Sequence, residues 1–130
     1  MSLIYKVVAK GDPRDKNLPK KFYARLKSIG QKQEKEVAKL LSDETTLNPK
    51  EAEMALSQFQ KILLRLLLDG HSVQLGDWGS FRLTCNSEGN EEAEKVTANS
   101  IKNLNIRFQP GKDLKEQIAK ATFVSVDSLV

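Results

Sequence analysis

Apolar residues recur at every second position near both ends of the chain and at every third or fourth in its middle, which separates predicted strands from predicted helices. Leu3-Ile4-Tyr5-Lys6-Val7-Val8-Ala9-Lys10 is β-branched and aromatic and stops at Gly11-Asp12-Pro13, so it is predicted as a strand closed by a turn. Residues 11 to 19, with Pro13 and Pro19 around a cluster of charges, read as a loop. Lys21 to Lys27 reads as a second strand. Its Phe22, Ala24 and Leu26 share one face and leave Lys21, Tyr23, Arg25 and Lys27 on the other, to meet either phosphates or water.

Helical spacing takes over at Lys32. A first helix is predicted to about Ser42, with Val37, Leu40 and Leu41 on one face, and Asp43-Glu44-Thr45-Thr46-Leu47 ends it. Asn48-Pro49-Lys50-Glu51 begins the next: Asn48 caps the free amides, Pro49 fits the first turn, and Glu51 stands where a capping-box acid reaches back. This second helix is predicted from Pro49 to about Asp69, where Gly70 supplies the left-handed residue that closes it.

The second helix bears most on architecture. Ala52, Ala55, Leu56, Phe59, Ile62, Leu63, Leu66 and Leu67 form one stripe, and Leu64 and Leu68 widen it until the C-terminal half is apolar nearly all round. Burying a Leu, Ile or Phe is worth roughly 1.5 to 3 kcal/mol, so leaving that half wet would forfeit an amount comparable to a small domain's stability. One short helix and one small sheet cannot cover it. A second copy of the chain can, which makes Phe59, Ile62, Leu63, Leu66 and Leu67 the expected interface of a two-fold homodimer. A helix buried wholly within one chain is the alternative.

Alternation returns afterwards. Val73-Gln74-Leu75 and Ser80-Phe81-Arg82-Leu83 flank Gly76-Asp77-Trp78-Gly79 as a hairpin, and Asn103 to Phe108 places Leu104, Ile106 and Phe108 opposite Asn103, Asn105 and Arg107. Pro110 breaks that strand. Asp113 to Ala119 is predicted as a short helix and Thr122 to Val126 as a last strand, pairing with one from residues 1 to 30. Residues 1–30 are thus expected as a β extension. Residues 31–130 are expected as the main domain, with a protruding segment at about 84–101, the whole forming one compact unit.

A chain of 130 residues, 39% hydrophobic and 29% charged, is long enough for one modest core. It has no apolar run of about 18 residues and its start lacks a signal peptide's apolar core, so it is expected to stay in the cytoplasm without a membrane. Cys85 is its only cysteine, which excludes an intrachain disulfide and a Cys-based metal cluster. The formal net charge of +4 hides an asymmetry. Residues 1–39 hold eleven Lys/Arg against four Asp/Glu, whereas residues 70–100 hold two against five. A polyanion is drawn to the first region and repelled by the second.

The order of the helices, the Gly76-Asp77-Trp78-Gly79-Ser80-Phe81-Arg82-Leu83 hairpin and Ile106-Arg107-Phe108-Gln109-Pro110-Gly111-Lys112-Asp113-Leu114-Lys115 resembles the bacterial HU/IHF family of DNA-bending proteins. Residues 31 to 121 fit its plan. With Tyr5-Lys6-Val7-Val8 at the start, the chain looks like a divergent branch that carries an N-terminal β extension and an acidic arm. The resemblance implies an α+β fold in an HU/IHF-like intertwined dimer. Its parts are two helices, a three-stranded antiparallel sheet with a β-arm, a short C-terminal helix and extra N-terminal strands.

The resemblance also implies double-stranded DNA as partner, held by a saddle of two subunits' sheets and by two arms. Lys112 and Lys115 match the family's phosphate-contacting lysines. Arg82, Lys102 and Arg107 on the predicted outer strand faces are expected to join them. Amides at the Pro-Gly-Lys helix start favour phosphate, and Asp113 opposes it. The family's arm is rich in Arg and Lys and wedges a proline between base steps. Here Thr84 to Ile101 holds neither proline nor arginine, and Gly89-Asn90 is only a plausible turn.

Each lost cation removes one counterion-releasing contact, so the extension is expected to supply what the arm lacks. Its candidates are Lys6, Lys10, Arg14, Lys16, Lys20, Lys21, Arg25 and Lys27, with Lys20, Lys21, Arg25 and Lys27 foremost. The expected function is that of a nucleoid-associated architectural protein, binding duplex DNA with little sequence preference. The rival reading keeps the fold as a protein-interaction module that has lost arm-mediated DNA binding.

Catalysis has little support. His71 is the sole histidine and follows a helix-closing glycine, and no Gly-x-x-x-x-Gly-Lys, His-Glu-x-x-His or Gly-x-Ser-x-Gly motif occurs. Glu91, Glu92 and Glu94 read as solvated surface rather than a metal site. Trp78 is expected either to stack on a base or to close a core edge. No enzyme activity, cofactor, metal or small-molecule substrate is expected; a small enzyme with an unrecognised site is the weakest alternative.

Overall fold

A computed structural model describes residues 2–129 as two compact units, residues 2–32 with 117–129 and residues 33–116. Among the described residues the fold is mixed, with three α-helices and two three-stranded sheets. No helix among the described residues is long and apolar enough to cross a membrane.

In the first unit, β1 (Ser2–Lys10) and β2 (Lys21–Lys27) form an antiparallel hairpin. On its other side β1 pairs in parallel with β6 (Thr122–Ser125), giving the order β2-β1-β6. The expected pairing of the last strand with the extension is therefore present: Leu3 lies opposite Phe123 and Ile4 opposite Val124. A 3-10 turn, Val126–Leu129, packs against β1 and β6.

The second unit begins with α1 (Glu34–Glu44), two residues later than its periodicity suggests. The Gln33 backbone amide donates to the Glu36 carboxylate at 3.2 Å, so a capping box sets the start. The Thr45 hydroxyl donates to the Leu41 carbonyl at its end. Helix α2 (Pro49–Leu68) opens on the expected reciprocal cap: Asn48 Oδ1 accepts from the Glu51 amide at 2.9 Å, and the Glu51 carboxylate accepts from the Asn48 amide at 3.2 Å. Its end is a Schellman closure. The Gly70 amide donates to the Leu67 carbonyl and the His71 amide to that of Leu66, with Gly70 at φ 93° in the region that side chains avoid.

Strand β3 (Val73–Leu75), β4 (Gly79–Ser87) and β5 (Ile101–Pro110) form an antiparallel sheet, and α3 (Lys112–Ile118) follows. The protruding segment is not a β ribbon turning at Gly89-Asn90. Its strands part after Ser87 and rejoin at Ile101, linked by the Glu88 amide to the Ser100 carbonyl at 2.8 Å. Between them lie two 3-10 turns, Ala93–Lys95 and Ala98–Ser100. Here short polar side chains bond to nearby backbone, as Asn90 does to the Glu92 amide, and compete with cross-strand pairing.

Among the described residues the chain encloses little of the expected single modest core. Ala38, Ala52 and Leu67 are the buried apolar side chains among the described residues, and no large side chain is fully enclosed. Helix α1 packs on α2, where small residues let backbones approach, and Ser57 bonds Glu34 at 3.1 Å. The stripe on α2 remains largely wet: Phe59 is 42% exposed, Ile62 36%, Leu64 56% and Leu68 62%.

Candidate nucleic-acid interface

The sheet of the second unit has two unlike faces, because paired residues project from the same side and successive residues from opposite sides. Phe81 lies opposite Phe108, Leu83 opposite Ile106 and Cys85 opposite Leu104. That apolar face carries an aromatic cluster, with Phe108 4.8 Å from Phe81 and 4.9 Å from Trp78 between ring centroids. Trp78, in the turn before β4 and half exposed, lies against this cluster.

The reverse face is polar throughout. Arg82 pairs with Arg107, flanked by Ser80 opposite Gln109 and Thr84 opposite Asn105. No acid shares it, and both arginines are exposed. Like charges directly opposite one another weaken a sheet by about 0.2–1 kcal/mol, so the arginine pair is not explained by folding.

Lys112 is brought to the same place by a close backbone approach. The Gly111 amide donates to the Trp78 carbonyl at 2.8 Å, and a Cβ on Gly111 would collide with the Asp77 carbonyl. Glycine is therefore required where the chain leaves β5 and enters α3. Gln74, Ser80, Gln109 and Lys112 line one shallow hollow beside this turn together with Asp77, the single acid there. Lys115 lies one turn further along α3, exposed.

Lys102 is placed differently. A bulge shifts the register so that Asn86 faces Asn103 and Ser87 faces Ile101, leaving Lys102 without a cross-strand partner. Its ammonium lies 3.1 Å from the Glu88 carboxylate, and Lys95 lies 3.4 Å from Glu92. Among the described residues these are the ion pairs, and both occupy the protruding segment.

Of the candidates in residues 1–30, Lys21, Arg25 and Lys27 share one face of β2, whereas Lys20 falls in the loop before it, as do Arg14 and Lys16. All are exposed. Among the interface candidates on α2, Phe59 and Ile62 are exposed, Leu63 and Leu66 half-buried, and Leu67 is enclosed within the protomer at 4%. His71 serves as a turn residue through its amide. Ser80, Thr84, Asn105 and Gln109, the hydrogen-bonding rows around the arginine pair, are not among the candidates named from the sequence. Their signal was the alternation itself, since each lies two residues from Arg82 or Arg107.

An acid-free face with two arginines, ringed by amides and hydroxyls and joined by a helix-borne lysine, has the chemistry to hold phosphate oxygens. Comparison with known proteins gives a consistent picture. Residues 1–125 match the model of the HU-HIG family, described as an HU domain fused to a wHTH, Ig or glycine-rich motif. No curated protein matches the sequence.

Among solved structures, the fold is similar to one from Bacteroides vulgatus titled a "Putative bacterial DNA binding protein". The TM-score is 0.64 at 12% identity, over 95% of this chain and 48% of that one. The chain thus spans about half the length of that relative. It is also similar to the HU protein of an Anabaena HU–DNA cocrystal, with TM-score 0.55 and 17% identity, over 68% of this chain and 99% of that one.

Proposed function

Because the chain belongs to the HU-HIG family, we propose that it is an architectural, nucleoid-associated protein that binds double-stranded DNA as a homodimer with little sequence preference. The observation that carries this reading is the acid-free face on which Arg82 and Arg107 stand opposite each other. A polyanion relieves their repulsion and releases its own counterions in doing so. Lys112 and Lys115 extend the contact. Lys102 joins only where phosphate displaces Glu88. Hydrogen bonds to phosphate position a duplex without reading its bases, which accounts for low specificity. The solved HU–DNA complex of similar fold supports the same partner.

The dimer rests on the wet stripe of α2. Phe59, Ile62, Leu64 and Leu68 stay accessible in a protomer with almost no buried side chains, and an intertwined two-fold partner covers such a stripe with its own copy. Two sheets then combine into one saddle. A fluorescence-anisotropy titration of a labelled duplex across salt concentrations tests the function. A steep negative slope of log affinity against log salt is expected, and absence of binding at low salt refutes the proposal.

One feature favours the rival reading. The lysines of the protruding segment are held by Glu88 and Glu92, which leaves it with surplus acid for a protein partner rather than for DNA. That reading gains if the duplex fails to bind at low salt while the dimer persists.

A further inference from the structure

Strand register brings Lys6 and Lys10 of β1 to the face on which alternation along β2 already places Lys21, Arg25 and Lys27. Lys6 lies opposite Arg25 and Lys10 opposite Lys21, with Lys27 opposite Ile4 and Tyr23 opposite Val8. Paired residues project from one side, so the five cations share a face. Lys10 Nζ lies 5.9 Å from the Tyr23 ring centroid, and the Ser2 and Thr122 hydroxyls, 2.7 Å apart, continue the face onto β6.

No Asp or Glu occupies a position on this face, and neither ion pair among the described residues lies in this unit. The nearest acid is Asp12, which lines one hollow with Lys10, Lys20, Lys21 and Tyr23 at the end of the hairpin and accepts from the Arg14 amide at 2.8 Å, while Asp15 accepts from the Asn17 amide at 2.9 Å; four cations thus surround or adjoin this single carboxylate at one end of the face. Two like-charge pairs directly opposite one another weaken the hairpin that carries them. Solubility does not call for them either, since it is served by interspersed charges of both signs. The reverse face is apolar and exposed, from Leu3 and Val7 to Phe22, Leu26 and Phe123. The charge is thus segregated onto one side of the sheet.

We propose that this side of the β2-β1-β6 sheet is a second phosphate-binding surface for duplex DNA, a deepening that rests on the DNA-binding reading above. From Lys21 to Lys27 the strand spans about 20 Å, the axial length over which one DNA strand carries about six phosphates. The surface contacts backbone only. A duplex is favoured over an anionic membrane because the second unit carries a face of the same make, acid-free and centred on paired cations.

The test compares the full chain with Lys6→Gln/Lys10→Gln/Lys21→Gln/Arg25→Gln/Lys27→Gln by salt-dependent anisotropy on a labelled duplex. At about 0.9 per phosphate contact, the salt slope is expected to fall by about 2 to 4.5 per chain. Thermal melting should be unchanged or raised, a readout that a merely structural role would move the other way. Arginine at the four lysine positions should keep the slope.

Should the fivefold variant lose its far-UV signal, Lys6→Gln/Arg25→Gln is read instead, with an expected fall of about 1 to 2. An unchanged slope, when the wild type binds and Arg82→Gln/Arg107→Gln lowers it, overturns this inference and leaves the DNA reading standing. A wild type that binds no duplex at low salt overturns both. Wild-type retention on phosphatidylserine vesicles without duplex binding assigns the face to a membrane and also overturns it.

Discussion

Truncating Phe59 and Ile62 together to alanine separates the two roles an apolar helix can have. Within the protomer Phe59 is 42% exposed and Ile62 36%, so part of each side chain's burial is still to be gained by association. Full burial of such a side chain is worth roughly 1.5–3 kcal/mol, so these exposed fractions correspond to about 2 kcal/mol per chain. A two-fold interface counts both copies, which gives about 4 kcal/mol, or roughly a thousandfold weaker dimer at 1.4 kcal/mol per tenfold. Sedimentation velocity over a concentration series reads the change directly. The Leu67→Ala variant is the contrast, because Leu67 is already enclosed and its loss should act on the protomer's own stability, by about 2–5 kcal/mol. The reasoning is refuted if the wild type sediments at micromolar concentration as a well-folded single chain, or if the double truncation leaves the dimer constant where it was.

Three further outcomes follow from particular contacts. Arg82→Gln/Arg107→Gln removes two phosphate contacts per chain and should lower the salt slope by about 1.8 per chain, while relief of their repulsion leaves the melting temperature unchanged or slightly higher; a lower melting temperature contradicts the assignment. Gly111→Ala forces a Cβ into the Asp77 carbonyl and should cost about 1–3 kcal/mol by urea unfolding, with weaker duplex binding because Lys112 moves with it; an unaltered midpoint argues against the close approach. Asn48→Ala loses the acceptor of the Glu51 amide and should destabilise by about 1 kcal/mol, with Asn48→Asp retaining the cap.

Much of the fold is legible locally because the signals are local. Asn48 and Glu51 cap α2 through a bond spanning three residues, Gly70 ends it with its own backbone angle, and alternation around Arg82 and Arg107 declares two faces before any pairing is known. The basic candidates Lys112, Arg82 and Arg107 could be named from such periods together with the family resemblance; Arg82 stands opposite Arg107, and Lys112 shares a hollow with Ser80 and Gln109 of the neighbouring pair. Lys102 could not be placed in this way. Its position depends on a bulge, and a bulge arises when two strands 15 or so residues apart must share hydrogen bonds while one of them carries an extra residue.

The chain by itself therefore determined the order of the helices and main strands, the caps of α2, and that α2 carries more apolar surface than its neighbours cover. Tertiary structure alone decided that β6 joins β1 in parallel across more than a hundred residues, and that Lys6 and Lys10 stand on the same side as Arg25 and Lys21. It also decided that the protruding segment ends in 3-10 turns rather than a ribbon. The division has one cause. Capping, turn chemistry and side-chain period act within a few residues, whereas register is set by the summed hydrogen bonds and packing of strands whose partners no local pattern names, and a slip of one residue would turn every cation to the other face.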